Sequence, residues 1–461
     1  MDVTLNTKKP LARTLHTEQE LPVARLYYMD NLRASAMLLG VLFHASLAYS
    51  PLMHYLWLTA DTQQSVLVDV VAWFFHLFRM PVFFLIAGFF TCFLLEKRGA
   101  KKMLGNRTLR ILLPFLIFLP LVLVATGATI GWAIQAVENP SPMLALITSF
   151  SKMPDAPAAP ITTMHLWFLY QLVFFILLAV VIYKTVGFKW LQSSLNKAPL
   201  LFVAAFPLLL FPALLSQPIP HPAPESFSPQ LWSFGFYGLF FILGVGLFKS
   251  TGFVDRLQPY WPYLVGAGVS LYFVLFSMLP ETVAIEAVMS NGTGPELTAT
   301  HTLEAVLEAY IAFFMTLAVL LISKKYFTQH SALFRYLADA SYWIYLIHLP
   351  VLFIIQFQLL DVSWNMWLKL TVSVLGTIAI GMISYLVLVR WTLIGRLLNG
   401  TTKRFLFLVL VTALMFLNTG CSISLTRNHY YFQPIHPKQQ ASKKYLKLKP
   451  INETRSDETA N

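Results

Sequence analysis

Residues Tyr27–Ser50, YYMDNLRASAMLLGVLFHASLAYS, decide how the rest of the chain is read. The stretch is apolar and long enough to span a membrane, and it is interrupted by Asp30, Arg33 and His44. At about 100° per residue, the steps from Arg33 to His44 return to within roughly 20° of the starting direction. Asp30 falls about 60° from Arg33 and about 40° from His44, so the three share one helix face, with Gly40 between them. A rise of ~1.5 Å per residue separates Arg33 from His44 by about 16 Å, roughly half of a ~30 Å hydrocarbon core. One helix thus carries an ion pair near the membrane surface and an imidazole near the midplane. Holding an ionisable side chain there costs several kcal/mol, which makes it a functional candidate. The plainer readings are a satisfied core histidine and an arginine that snorkels to the headgroups.

Composition agrees with a membrane setting. The 461 residues are 57% hydrophobic and only 12% charged, with a mean hydropathy of +0.64. A soluble globular chain carries about twice that charged fraction. The expected fold is all-α: a polytopic membrane helix bundle. The net charge of +12 does not call for nucleic acid, because the basic residues sit in short loops and a tail. Residues 1–26 are polar and resemble no cleavable signal peptide. Two cysteines, Cys92 and Cys421, make no disulfide framework.

Apolar runs of spanning length occur near 30–50, 66–95, 109–131, 165–185, 199–216, 230–248, 259–279, 303–323, 334–357, 366–392 and 404–421, which predicts about 11 transmembrane helices. Lysine and arginine then set the orientation. They collect in the N-terminal tail, in Lys97–Arg110, Lys184–Lys197, Lys249–Arg256, Lys324–Arg335 and Arg390–Arg404. The intervening segments 51–65, 217–229 and 280–302 have none, and 132–164 has only Lys152. This alternation predicts a cytoplasmic N-terminus. Proline collects in the outer segments 139–160 and 218–229, which are expected to be extended rather than helical.

The second apolar helix carries FFHLFRMPVFFLIAGFF, residues 74–90. His76 and Arg79 are three apart and share a face. Arg79 lies deep enough to need a polar cavity or a partner, with Asp69 one candidate. The loop that follows, with Lys101, Lys102, Arg107 and Arg110, is the candidate phosphate site, since Arg meets phosphate oxygens in bidentate fashion. The plainer reading is a topology signal and nothing more. His165 and Trp167 open the fourth helix at the outer boundary, as possible acceptor contacts or as members of an interfacial belt. His348, in the ninth helix, falls at a depth like that of His44, which suggests one shared polar chamber. His54, His221, His301 and His330 fall in or near loops and are assigned no role. No HExxH, CxxC or close histidine pair suggests a metal, and no P-loop, GxGxxG after a strand, or GxSxG occurs.

These segments resemble the membrane acyltransferase 3 family. The resemblance rests on Arg33 and His44 with ten residues between them, on the preceding Asp30-Asn31-Leu32, and on Arg107-x-x-Arg110. It rests also on FRMPVFFLIAGFF, on HLWFL from His165, and on YWIYLIHLPV around His348. It covers roughly residues 27–395 and implies an acyl-CoA-dependent O-acyltransferase of the bacterial inner membrane. Within the family, the first two helices resemble members that place succinyl groups on periplasmic glucans. The implied donor is succinyl-CoA or acetyl-CoA, used as a substrate, with no permanently bound cofactor. Arg107, Arg110, Lys101 and Lys102 would hold its phosphates. His44 would serve as general base or acyl carrier, Asp30 would hold Arg33, and Arg79, His76 or His348 would stabilise the oxyanion or orient the acceptor. The alternatives are an O-acetyltransferase of another surface polysaccharide and, from a different class, a secondary transporter using the same residues as a relay.

The chain therefore divides into a cytoplasmic tail 1–26, the membrane domain 27–395, an additional C-terminal helix 396–421, and a basic tail 422–461. That tail is expected to be disordered and periplasmic, where its charge would meet anionic lipid or product. Lys403-Arg404, the apolar run 405–417 and Cys421 follow the order of a lipoprotein signal, but Asn418 stands where an aliphatic residue is usual. A plain eleventh helix is the preferred reading.

Overall fold

The computed structural model describes residues 27–154, 161–283, 295–329 and 331–399. The N-terminal tail, the expected eleventh helix with Cys421, and the basic C-terminal tail lie outside them. All regular structure among the described residues is helical. In chain order the helices are α1 (Tyr27–Ser46), α2 (Val66–Arg107), α3 (Leu113–Ala136), α4 (Pro142–Ser151), α5 (Trp167–Thr185), α6 (Lys189–Lys197) and α7 (Pro199–Leu215). They continue as α8 (Leu231–Leu247), α9 (Thr251–Leu257), α10 (Trp261–Phe276), α11 (Ala299–Tyr326), α12 (Ala332–Leu360), α13 (Met366–Ser384) and α14 (Leu393–Asn399).

By length and apolarity, seven stretches are able to cross a membrane, or eight if α6 and α7, bent by 119°, count as one. One of the seven is Val66–Ala136, 71 residues long. At ~1.5 Å per residue it would measure about 107 Å, more than three hydrocarbon thicknesses. It is interrupted at Gly99, where φ 73° and ψ 164° lie outside the helical region and favour glycine. A π-helical turn, Thr108–Leu112, then leads into α3. Each apolar run expected up to residue 392 lies on a described helix, although α8 has only 17 residues.

One loop expectation changes. Pro142–Ser151 is a helix: Pro142 takes its first turn, where a missing N–H costs nothing, and the Ser141 side chain caps it by accepting from Leu144 N. Residues 218–229 contain no helix, as expected, and their path buries His221 to 1% exposure.

The closest helix crossing is that of α2 on α8. A Cβ at Gly88 would stand 1.9 Å from the Phe241 carbonyl oxygen, and one at Gly244 would stand 1.9 Å from that of Leu85. Two glycines on facing helices thus let backbone meet backbone, the usual way apolar helices gain contact where no hydrophobic drive separates protein from lipid. Around this crossing Phe84, Phe175, Tyr237 and Phe241 are buried, with their rings in tilted or edge-on contact.

Side-chain bonds tie the helix ends into two groups. At one end, Arg33 Nη2 donates to Ala338 O at 3.3 Å. There Asn31 donates to Phe327 O at 3.0 Å, and the Tyr342 hydroxyl to Arg110 O at 2.9 Å. At the other, Asp69 accepts from Leu52 N at 3.0 Å and from Ser50 Oγ, while Asp361 accepts from Asn139 N at 2.8 Å. Lys369 and Asp61 close that end with a buried pair at 2.6 Å. The basic corner around Gly99 and the loops 50–65, 137–141 and 361–365 therefore lie at opposite ends of α1, α3 and α12.

Candidate functional site

The apolar face of α1 packs against α2, α11, α12 and α13, and its polar face looks into a cavity of about 600 Å³. Asp30, Arg33, Gly40 and His44 all line that cavity, as the helical spacing requires. So do Arg79 from α2, His165 from the short turn Met164–Leu166 before α5, Trp167 at the start of α5, and Tyr345 and His348 from α12. Its other end is lined by Arg98, Arg107 and Arg110. One space therefore joins the basic corner to the histidines.

His44 and His348 meet across it, with Nδ1 of His44 2.8 Å from Nε2 of His348 and the two rings nearly parallel at 7°. The other nitrogen of His348, Nδ1, lies 2.8 Å from Tyr345 O. A carbonyl only accepts, so in the neutral pair the His348 proton sits on Nδ1 and its Nε2 carries the lone pair. His44 must then donate from Nδ1, which leaves Nε2 of His44 as a lone pair that no protein group takes among the described residues. One neighbouring imidazole and one carbonyl thereby fix the tautomer of the His44 ring. Trp57 stacks on the opposite side of His44 at 6.1 Å, with its indole N–H buried and unpartnered. His165 stands edge-on to His348 at 4.8 Å, and its Nε2 donates to Leu346 O at 3.3 Å.

Arg79 is buried to 6% exposure. Its Nη1 donates to Gly40 O at 3.3 Å and its guanidinium stacks on Phe43 at 4.5 Å. No carboxylate pairs with it among the described residues. The candidate partner Asp69 is occupied elsewhere, by Ser50, Leu52 N and Trp73 Nε1. Arg33 stands 3.8 Å from Asp30, which places the ion pair expected within α1. Arg107 is held half-buried with Nε and Nη2 unpartnered, at the point where α2 gives way to the π turn.

Three candidates from the sequence stand outside the cavity. Lys101 and Lys102 are exposed and do not line it; Arg98, from the same basic run, does. Lys side chains one helical turn from Arg98 face away because the corner at Gly99 turns the chain between them. His76 stacks on Phe43 beside Arg79 without lining the cavity, and donates from Nε2 to His221 O at 3.1 Å. His221, which the sequence gave no role, is the centre of a buried cluster: Nδ1 meets Glu308 Oε1 and Nε2 meets the Tyr237 hydroxyl at 2.8 Å. Glu308 is fully buried, with Oε2 unpartnered. A carboxylate in the middle of the apolar run of α11 was the signal for this cluster. His301 likewise sits in the first turn of α11 rather than in a loop, donating from Nε2 to Leu215 O at 3.0 Å.

The cavity thus joins arginines to an oriented histidine inside a helical bundle, and the sequence comparison supplies the family. The chain belongs to the acyltransferase 3 family, whose acyltransferase domain matches residues 26–386. Glucans biosynthesis protein C of Salmonella heidelberg (strain SL476) is 26% identical over 353 residues, which covers 72% of this chain and 83% of that protein. The protein of the same name from Shigella dysenteriae serotype 1 (strain Sd197) is 26% identical over 398 residues, covering 82% of this chain and 96% of that one. No solved structure matches.

Proposed function

We propose that this chain is an O-acyltransferase of a bacterial inner membrane that moves an acyl group, succinyl in the first instance, from cytoplasmic acyl-CoA to hydroxyls of a periplasmic glucan. The observation that carries the reading is the single cavity from Arg98, Arg107 and Arg110 to the His44–His348 pair. Its arginine end suits the phosphates of a nucleotide-bearing donor, because Arg forks match phosphate oxygens. The histidine end offers a lone pair with its tautomer already set. Relatives named for glucan biosynthesis support a glycan acceptor.

In the reaction, Nε2 of His44 takes the proton of an acceptor hydroxyl as its oxygen bonds to the thioester carbonyl. The carbon–sulfur bond then breaks, the sulfur leaves as thiolate, and the proton passes to it from His44. Arg79, a buried cation without a carboxylate, stabilises the negative charge on the carbonyl oxygen. Asp30 keeps Arg33 turned toward the passage. The long Val66–Ala136 stretch counts as two spans and α8 as one, giving ten crossings within residues 27–392. Lysine and arginine bias places the N-terminus in the cytoplasm.

Purified protein, radiolabelled succinyl-CoA and neutral glucan test the reading together. Label should enter the glucan, and the thioester should be consumed only when glucan is present. Consumption indifferent to glucan, or movement of a solute without acyl transfer, would reject it.

A further inference from the structure

A second pocket, of about 500 Å³, lies at the opposite end of the bundle from the arginines and takes no part in the mechanism above. Its walls come from three loops: His54, Thr62 and Gln63 from the loop after α1, Asn139 from the turn after α3, and Asp361 and Ser363 from the turn after α12. We propose that this pocket is the subsite for a neutral sugar unit of the acceptor glycan, a reading that rests on the acyltransferase assignment.

The charges are already spent. Lys369 reaches the pocket wall but is neutralised by Asp61, both nearly fully buried. Burial, the largest single influence, pushes the Asp361 carboxyl up, yet the N–H groups of Asn139 and Glu138 together outweigh it and hold the carboxyl below the usual carboxylate range. An anionic ligand would find no free cation there. What the pocket does offer is uncommitted neutral hydrogen bonding. The Thr62 and Ser363 hydroxyls have no partner among the described residues, and Asn139, whose Nδ2 is given to Asp361 Oδ1 at 3.1 Å, keeps its amide oxygen. Alternating donors and acceptors of this kind match sugar hydroxyls, which both donate and accept.

The walls are fixed before any ligand arrives. Gln63 donates to Trp364 O at 3.0 Å and accepts from Met366 N at 2.9 Å, which ties the first loop to the third. Ser141 donates to Leu58 O at 2.5 Å, which ties the second loop to the residue following Trp57. Trp57 in turn stacks on His44. The pocket and the reacting imidazole are thus joined through one short, hydrogen-bonded loop. A volume of this size is within the range of about 300–1,000 Å³ usual for small-ligand sites.

The test uses the full chain in nanodiscs, with Thr62→Trp to fill the pocket and Ser363→Ala to remove one hydroxyl. The probe is a linear neutral glucose oligomer, titrated by calorimetry, alongside KM for glucan and for acyl-CoA. Thr62→Trp should weaken oligomer binding and raise KM for glucan at least ten-fold, and Ser363→Ala about five-fold. KM for acyl-CoA should stay unchanged, which also shows that the variants are folded. Wild-type affinity for the oligomer in both variants would overturn the subsite and leave the transferase reading standing. A wild-type protein that transfers acyl groups yet binds no glucose oligomer would overturn the subsite through its ligand. A wild-type protein that neither transfers nor binds would reject the transferase reading itself.

Discussion

In the proposed reaction His348 acts only through His44. Its Nε2 accepts the His44 Nδ1 proton and so keeps the reactive lone pair on Nε2. Replacing His348 with Ala leaves that proton without its acceptor and frees the ring to adopt the other tautomer. We expect kcat to fall about 10²-fold with KM for acyl-CoA nearly unchanged. His348→Gln, whose amide oxygen can still accept, should recover part of the loss; steady-state kinetics of the two variants checks both. Arg107 belongs to the other end of the cavity. Arg107→Ala should raise KM for acyl-CoA roughly ten-fold, the cost of about one charge-assisted hydrogen bond, while KM for glucan stays put. Added salt should narrow that difference, since salt screens the phosphate attraction. Equal effects on both substrates would reduce Arg107 to a topology signal. Much of this was legible in the sequence, because eleven residues return a helix almost to its starting direction and place Arg33 and His44 on one face. Depth alone also pointed from His44 to His348. The partners of Arg79 and His221 were not legible. Gly40 O and Glu308 lie far from them in the chain, and a single sequence gives no pairing across such distances.

At the scale of the helix, α2 and α8 meet through Gly88 and Gly244, with carbonyl oxygens where side chains would stand. Neither neighbour is a flexible side-chain tip that can swing aside, so Gly88→Ala has to push two backbones apart. We expect a loss of at least 1–3 kcal/mol and a matching fall in thermal midpoint in detergent. Gly127→Ala is the control, because a Cβ there meets nothing within 4 Å. It should leave the midpoint unchanged or raise it through better helix propensity. The apolar runs themselves were plain in the sequence. The corner at Gly99 was read as an ordinary basic loop, since a lone glycine in a charged segment does not announce a helix that continues on both sides of it. The basic run therefore gives no sign that Arg98 lines the cavity while Lys101 and Lys102 do not. Proline misled in the same way at residues 139–160. Pro142 marks a helix start there, and only the capping Ser141 beside it distinguishes a first turn from an extended connector.

Across the whole molecule, the bundle gathers cations at one end and hydroxyl-bearing loops at the other, with His44 between them. The outer loops are held by the Asp361 carboxylate, which bridges the ends of α3 and α12. A carboxyl held below its unfolded range contributes stability that is present above the unfolded pKa and lost as pH falls through the folded one. Asp361→Asn should therefore melt below wild type at neutral pH, and the gap should close as pH drops below the ordinary carboxylate range. A gap that persists in acid would mean the bridge is not ionic. The proposed function would bring donor and acceptor to these two ends, with the imidazole as their meeting point. Acyl transfer from labelled succinyl-CoA to neutral glucan by His44→Ala, in protein shown to be folded by its melting curve, tests that meeting point most directly. The account predicts transfer at least 10²–10⁴-fold below wild type, the usual worth of a general base. Transfer within a few-fold of wild type would contradict it.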